Sequence, residues 1–291
     1  MSATPLSATQ GRLAQTMSER LRHILSGPDE DISLAEAALL IAGHGYPQLN
    51  VAAYLSRIEE LAHMLSMRIG EDATPLERIA DLNQFLFGDL GFAANSEDYY
   101  DPRNSFLNEV LERRTGIPIT LCVIYMELGR KIGLPLQGVS FPGHFLVKCA
   151  VAEGAVVLDP YSGGISLGLP DLQKRLREVR GGEVSRAIVA ELLVSASNKE
   201  IVVRLLRNLK AIYLRGHDLD KALPIMDWII ATVPEQTPEL RDRGMIYQEL
   251  ECARAALTDF ETYLERSPSS EDAGDIRERI IELRMKVARL N

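Results

Sequence analysis

Three side chains in the middle of the sequence are of the types that cysteine hydrolases and acyl transferases use: Cys122, His144 and Asp159. Such an enzyme needs a thiolate as nucleophile, an imidazole that takes the thiol proton, and an acid or amide that holds the imidazole. A histidine and an aspartate on neighbouring strands also arise together by chance. The residue types and their spacing therefore leave a catalytic and a purely structural interpretation open.

The elements that must position these side chains are a helix and a set of strands. Pro118 suits the first turn of a helix, and the residues from there to about Lys131 are apolar on almost every side. A helix without a polar face is a buried helix. Three runs with the two-residue period of strands follow, at residues 136–141, 144–151 and 155–159. The sequence thus predicts a buried helix and an antiparallel hairpin that carries His144 and Asp159.

The pleat of a strand separates two of the candidate residues. If residues 144–151 form a regular strand, His144 and Cys149 point to opposite faces, so Cys149 is not the partner of His144. Cys122 remains as the candidate nucleophile. Asp159, at the end of the following strand, remains as the group that would orient the imidazole.

The composition is that of a globular protein long enough for two domains, with 291 residues, 46% hydrophobic and 25% charged. A formal net charge of -9 argues against a sequence-independent nucleic-acid binder, which needs a basic face. Three scattered cysteines supply neither a disulfide framework nor a CxxC metal site, so we expect no cofactor and a reducing cytoplasm. We expect no membrane role, because neither a signal peptide nor a spanning apolar run is present in the sequence.

Two polar stretches flank the predicted core. Residues 88–103 are rich in turn formers and aromatics, and we interpret them as a surface connection, with the mouth of a site as the alternative. A basic cluster ends the helix that follows the strands, and we interpret it as a solvated helix end rather than a phosphate site. It consists of Lys174, Arg175, Arg177 and Arg180.

Beyond about Val184, where we place the domain boundary between residues 1–184 and 185–291, the sequence repeats with a period of 34 residues. The positions Leu206, Tyr213, Ala222, Met226 and Pro234 recur as Leu240, Tyr247, Ala256, Phe260 and Pro268. This period, with its small, aromatic and closing proline residues, resembles the tetratricopeptide repeat. We predict two helix pairs, at about 203–236 and 237–270, a capping helix from about Asp275 to Leu290, and no strand in residues 200–291.

Five short motifs, together with this repeat region, resemble the SirB-type, transglutaminase-like family of bacterial proteins over nearly the whole chain. They are Asn104-Ser105, residues 113–119, Gly133-Leu134-Pro135, residues 142–145 and Leu158-Asp159-Pro160. The resemblance implies an α+β fold: a mainly helical, transglutaminase-like (papain-like) core with a small antiparallel sheet, followed by an all-α tetratricopeptide domain. In that superfamily a cysteine on a helix works with a histidine and an acid on two adjacent strands.

The family's site residues carry over unevenly. His144 and Asp159 fall where the superfamily has its histidine and acid. Its nucleophile usually sits in a Gly-x-Cys at the start of the buried helix, and here residues 116–118, Gly-Ile-Pro, occupy that place. Cys122 follows one turn later, beyond the turn where a helix terminus lowers a thiol pKa most. We predict that Cys122 is a small buried apolar residue.

Two functions follow from this comparison. The first is a cytoplasmic protein-interaction or regulatory protein that lacks the standard nucleophile and binds a partner in the tetratricopeptide groove. Counting along the repeats places Arg204, Arg207 and Arg241 toward that groove, which would suit an acidic peptide or a C-terminal carboxylate unless these arginines only solubilise the surface. The alternative is a thiol amidase, protease or transferase that uses Cys122, His144 and Asp159.

Overall fold

A computed structural model of the protein describes the backbone of residues 8–152 and 154–289. The chain forms two compact units, Met1–Leu205 and Leu206–Asn291. The division falls inside the helix Asn198–Arg215 and not in a linker. The sequence placed the boundary near Val184, but Val184 and Val189 pack in the core beneath the sheet of the first unit. That unit therefore continues past the predicted boundary.

The first unit is mainly helical and contains two small sheets. Its helices are α1 (Ala8–Ser26), α2 (Leu34–Ala42), α3 (Val51–Ser66), α4 (Pro75–Asn83), α5 (Leu107–Arg113), α6 (Pro118–Lys131), α7 (Leu169–Arg180), α8 (Arg186–Leu192) and the first part of α9 (Asn198–Arg215). Its strands are β1 (Ala93–Ala94), β2 (Thr115–Gly116), β3 (Leu136–Val139), β4 (Leu146–Val151), β5 (Gly154–Asp159) and β6 (Ile165–Leu167). The predicted α+β class is confirmed.

Helix α6 is the centre of the first unit. Every residue from Pro118 to Gly129 is buried, which confirms the buried helix that the apolar sequence predicted. Helices α2 to α5 contact it on one side, and β3 and β4 contact it on another. Its start is fixed by the Thr120 hydroxyl, which accepts the Ile117 N–H at 3.1 Å and donates to the Asn104 carbonyl at 2.9 Å.

The larger sheet is antiparallel, in the order β3-β4-β5-β6. Its centre is Val147 on β4, which lies opposite Gly138 on β3 and Leu158 on β5. One face packs on helices α7 and α8 through a shared apolar core. Successive strand residues alternate faces, so buried Val147 and Cys149 turn to the opposite face, toward α6. Strands β1, β2 and β6 are too short for the two-residue period to reveal them in the sequence.

Side-chain caps begin several of the helices. Ser33 and Asn50 accept backbone N–H groups at the starts of α2 and α3. Thr74 and Glu77 form a capping box at the start of α4, with bonds of 3.3 and 2.8 Å. The carboxylate of Asp29 accepts two N–H groups at the start of α9, at 2.9 and 2.8 Å. This last cap joins the N-terminal helices to the start of α9.

The second unit consists of paired helices, as predicted. It contains the rest of α9, then α10 (Leu219–Thr232), α11 (Pro238–Glu249), α12 (Ala253–Arg266) and α13 (Ala273–Arg289). Arg243 on α11 joins α10 to α12, since it donates to Asp227 at 2.6 Å and to Asp259 at 2.7 and 2.6 Å. Residues 200–289 contain no strand, and the predicted helix end at Leu290 lies outside the described residues. Within the described residues, none of the helices has the length and apolar composition needed to span a bilayer.

The turn before β4 provides a test of the packing of α7. Gly143 has a φ of 70°, and a Cβ at this position would lie 2.8 Å from Val179 Cγ2 on α7. Gly182 has a φ of 73°, and a Cβ added there would meet no described atom within 4 Å, so it is a matched control. We expect Gly182→Ala to lower the free energy of unfolding by about 1–2 kcal/mol through backbone strain alone. Gly143→Ala should lower it by roughly 1 kcal/mol more, because Val179 must also move. Urea unfolding of the two variants measures the difference, and equal losses would contradict the packing of Val179 on Gly143.

Candidate functional site

The buried carboxylate of Asp159 organises the candidate site. Asp159 ends β5, and its side chain is 0% exposed. Its Oδ1 accepts from His144 Nε2 at 2.9 Å and from the Tyr161 backbone N–H at 3.1 Å. Its Oδ2 accepts from the Ser162 hydroxyl at 2.7 Å and from Arg175 Nη2 at 2.6 Å. Four donors from three separate segments therefore meet on one side chain.

Two opposing effects set the pKa of Asp159. Burial disfavours the charged carboxylate, but the hydrogen bond and charge of His144, the Ser162 hydroxyl and the charge of Arg175 outweigh burial and lower the pKa from 3.8 to about 2. The ionised carboxylate accepts the N–H of His144 Nε2, so a neutral imidazole keeps its lone pair on Nδ1. That tautomer is the one in which a histidine can accept a proton from a thiol.

His144 is held by a turn and not by a strand. Strand β4 begins at Leu146, so the prediction of a strand from residue 144 is wrong at its first two residues. The turn is closed by a hydrogen bond of 3.0 Å from the His144 N–H to the Phe141 carbonyl, because Pro142 and Gly143 interrupt the extended backbone. The imidazole is 15% exposed and meets the ring of Tyr161 edge-on, with centroids 5.6 Å apart.

The polar loop before the core supports the ring that lies next to His144. The Tyr161 hydroxyl donates to the Asn95 carbonyl at 3.2 Å. The Asn95 amide donates to Asn104 Oδ1 at 3.0 Å, and Asn104 in turn donates to the Asp98 carbonyl at 2.7 Å. The loop thus contacts the surroundings of the site, while Tyr99 and Tyr100 at its tip remain exposed.

The Cys122 thiol lies in the core of α6. It is 0% exposed, and its S–H group donates to the Phe145 carbonyl at 3.4 Å. Burial raises the pKa of the thiol well above its usual value, and the charge of Asp159 raises it further. Cys122 is therefore a neutral thiol whose S–H group is bonded to the backbone of Phe145, the residue after His144.

Arg175 is a site residue that the sequence did not reveal. Its side chain is 26% exposed and pairs with buried Asp159, so the interpretation of this member of the basic cluster as solvated is wrong. Leu172 and Leu176 on the same helix are buried. Arg175 is three residues after Leu172, so helical spacing puts it next to the apolar face of α7. This spacing is the feature of the sequence that indicates an inward side chain.

Arg204 also belongs to the surroundings of His144. Its Nη2 donates to the His144 carbonyl at 2.9 Å, and its guanidinium lies 5.7 Å from the centroid of the Phe145 ring. Burial lowers the pKa of Arg204, although the guanidinium remains a cation at neutral pH. Arg204 thus holds the turn that carries His144.

Arg207 and Arg241 lie in the second unit, in a network of ion pairs. Arg207 pairs with Glu239 at 2.9 Å, and Lys210 bridges Glu239 and Asp242 at 2.6 and 3.1 Å. Arg241 pairs with Asp242 at 2.7 Å and with Asp272 at 2.9 Å. These pairs connect α9, α11 and the start of α13, so three basic side chains are balanced by three acidic ones.

The described part of the chain contains no cluster of three or more histidine, cysteine, aspartate or glutamate side chains that could hold a metal ion.

Comparisons with known proteins agree with both parts of the fold. Residues 52–207 match the model of the transglutaminase-like superfamily, and residues 209–280 match that of the tetratricopeptide repeat. A UPF0162 protein of Xylella fastidiosa is 41% identical over 257 residues, which cover 88% of this chain and 91% of the relative. A UPF0162 protein of Vibrio cholerae is 31% identical over 83% of this chain and 90% of its own length. Protein SirB1 of Salmonella typhimurium is 29% identical over 77% of this chain and 82% of its own length.

The lowered pKa of Asp159 predicts how stability depends on pH. A carboxylate whose pKa falls from 3.8 to about 2 on folding stabilises the protein above pH 3.8, and this contribution is lost as the pH falls through 2. Asp159→Asn should therefore lower the free energy of unfolding at neutral pH by on the order of 2 kcal/mol. Urea unfolding of both proteins over a pH series should show the difference shrinking in the acid range.

Glu178→Gln is the matched control, because Glu178 is exposed and has no partner among the described residues. It should change the free energy of unfolding at neutral pH by less than about 0.5 kcal/mol. A difference between wild type and Asp159→Asn that stays constant down to about pH 2 would show that the native fold does not favour the ionised form of Asp159.

Proposed function

This chain belongs to the transglutaminase-like superfamily and to its SirB-type members, as its sequence motifs predicted, and we propose that it is a cytoplasmic interaction or regulatory protein without a catalytic nucleophile. The tetratricopeptide unit would supply the partner site, because such repeats form binding surfaces for other proteins. In this proposal the His144–Asp159 pair is a structural clip in the transglutaminase-like unit.

The observation that carries the proposal is the state of the Cys122 thiol. Its sulfur is fully buried, its S–H group is engaged by the Phe145 carbonyl, and its pKa is raised. A nucleophilic cysteine needs the opposite: access to substrate and a lowered pKa. The place of the family's nucleophile at the start of α6 is held by Pro118, which has no reactive atom.

One observation favours the alternative function, a thiol amidase, protease or transferase. His144 is oriented by Asp159 at 2.9 Å with its Nδ1 free to accept a proton, as the base of a triad would be. This enzyme would require Cys122 to release the Phe145 carbonyl, reach solvent and ionise. The two functions therefore differ in the reactivity of a single thiol.

Alkylation of the folded protein separates these functions, and the exposed Cys252 serves as an internal control. We expect Cys122 to react more slowly than Cys252 by on the order of a hundredfold or more, because its reaction requires opening of the core. A time course of iodoacetamide labelling, followed by peptide mass spectrometry, measures both rates in one sample. Labelling of Cys122 as fast as that of Cys252, with a rate that falls in a His144→Ala variant, would favour the enzyme instead.

The partner surface that we propose lies along the first helices of the repeats, where Arg207 and Arg241 are found. Both arginines already have carboxylate partners, Glu239 and Asp272. An acidic partner segment would therefore have to compete with these carboxylates for the guanidinium groups. Hydrogen bonds from the Tyr263 hydroxyl and from Arg241 lower the pKa of Asp272 to about 2, so Asp272 is ionised at neutral pH and competes for Arg241.

This competition predicts the effect of removing one carboxylate. Asp272→Asn should raise the affinity for an acidic peptide several-fold, because the Arg241 guanidinium then keeps Asp242 as its one carboxylate partner among the described residues. Arg241→Gln should lower it, and the binding should weaken as salt concentration rises. Fluorescence anisotropy with a labelled oligoglutamate peptide gives the affinities, and circular dichroism checks that the helices are retained. Equal affinity for wild type, Asp272→Asn and Arg241→Gln would exclude Arg241 from the partner surface.

A further inference from the structure

A cleft of about 480 Å³ opens beside the imidazole of His144, entirely within the first unit. Its walls are the turn at residues 142–144, strand β6 and one face of α7. This volume is in the range of small-molecule sites, which are about 300–1,000 Å³. The residues that line it all lie between Pro142 and Val179, so none of them belongs to the tetratricopeptide repeats.

The face of α7 that lines the cleft presents both signs of charge. Lys174 and Glu178 lie one turn apart on this face, and neither has a hydrogen-bond or ion-pair partner among the described residues. Side chains four residues apart on a helix can pair directly, and these two do not. Of the other two charged side chains of α7 in the lining, Asp171 accepts the Gly168 N–H at 2.9 Å at the start of the helix, and Arg175 pairs with Asp159. The Lys174 ammonium and the Glu178 carboxylate therefore line the cleft without pairing with each other. Their Cβ atoms are about 6 Å apart, as is usual for positions one helical turn apart.

The base of the cleft is polar and pre-organised. His144 and Arg175 both line it, and each is fixed by one oxygen of the same buried Asp159 carboxylate. His144 keeps the Nδ1 lone pair, and Arg175 uses only Nη2 on Asp159, which leaves other N–H groups available. Side chains held in this way lose little conformational entropy when a ligand binds.

The remaining wall is apolar and partly exposed. Ile165 on β6 is 51% exposed, Val179 on α7 is 54% exposed, and Leu167 also belongs to the lining. Exposed apolar side chains next to convergent polar groups are typical of a ligand site. The lining thus offers one surface for each part of an apolar zwitterion: a carboxylate, an ammonium group and a hydrocarbon chain.

We propose that this cleft binds a small zwitterion with an apolar side chain, either a free apolar amino acid or a short apolar peptide with free termini. Lys174 and Arg175 bind the carboxylate, Glu178 binds the ammonium group, and Ile165 and Val179 contact the hydrocarbon chain. A purely anionic ligand would leave Glu178 unpaired beside it. A purely cationic ligand would likewise leave Lys174 unpaired.

Isothermal titration calorimetry of the full chain with four probes tests the proposal. Free leucine and the dipeptide Leu-Leu carry both charges, leucine amide lacks the carboxylate, and N-acetyl-leucine lacks the ammonium group. At least one of the two zwitterions should bind about tenfold more tightly than either capped probe, since each capped form loses one charge-assisted interaction. The affinities of leucine and Leu-Leu show whether the ligand is a free amino acid or a short peptide.

Variants of α7 assign each charge to its residue. Glu178→Gln should weaken the binding of the zwitterion about tenfold and leave the binding of N-acetyl-leucine unchanged. Lys174→Gln should likewise weaken the binding of the zwitterion about tenfold, but leave the binding of leucine amide unchanged. Arg177→Gln is the matched control, because Arg177 is exposed on α7 outside the cleft. Unchanged thermal unfolding midpoints confirm that the variants are folded. The proposal is overturned if no probe binds at millimolar concentration, if capped and uncapped probes bind equally, or if Arg177→Gln has the same effect.

Discussion

The structure of the first unit depends on the burial of one charge, the carboxylate of Asp159. Placing a charge in a protein interior costs several kcal/mol unless hydrogen bonds and opposite charges compensate. Here His144, Tyr161, Ser162 and Arg175 supply that compensation with four donors, so the turn before β4, the turn after β5 and helix α7 must all take defined positions. The geometry that resembles a catalytic pair is thus also the geometry that satisfies a buried charge.

This double role explains how a transglutaminase-like core can persist with no nucleophile at the start of α6. The His144–Asp159 bond joins the turn before β4 to the end of β5 and contributes to the sheet whether or not a thiolate is present. Cys122 contributes to the same region as a buried thiol bonded to the Phe145 carbonyl. Two of the charged side chains that line the cleft along α7, Lys174 and Glu178, have no partner in the described part of the chain. These unpaired charges are the groups that the zwitterion that we propose for the cleft would bind.

Local features of the sequence predicted the parts of the structure that depend on local interactions. The apolar residues of α6 predict a buried helix, and the 34-residue period predicts the repeats. Contacts between distant segments could not be found in this way. The pairing of Arg175 with Asp159 and the ion pairs of Arg241 depend on tertiary packing, and spacing along the chain does not encode them. At His144 the sequence predicts a strand where the structure has a turn, because the apolar residues that follow continue the two-residue period.

We propose that the core contains a histidine–aspartate pair but no reactive thiolate. The most direct measurement is the ultraviolet absorbance of thiolate in the folded protein, followed from about pH 5 to about pH 9, with a Cys122→Ser variant as the blank. Because burial and the charge of Asp159 raise the pKa of Cys122, we expect no absorbance attributable to this thiolate anywhere in that range. Thiolate absorbance at neutral pH that disappears in both Cys122→Ser and His144→Ala would reveal a thiolate–imidazolium pair and contradict the account.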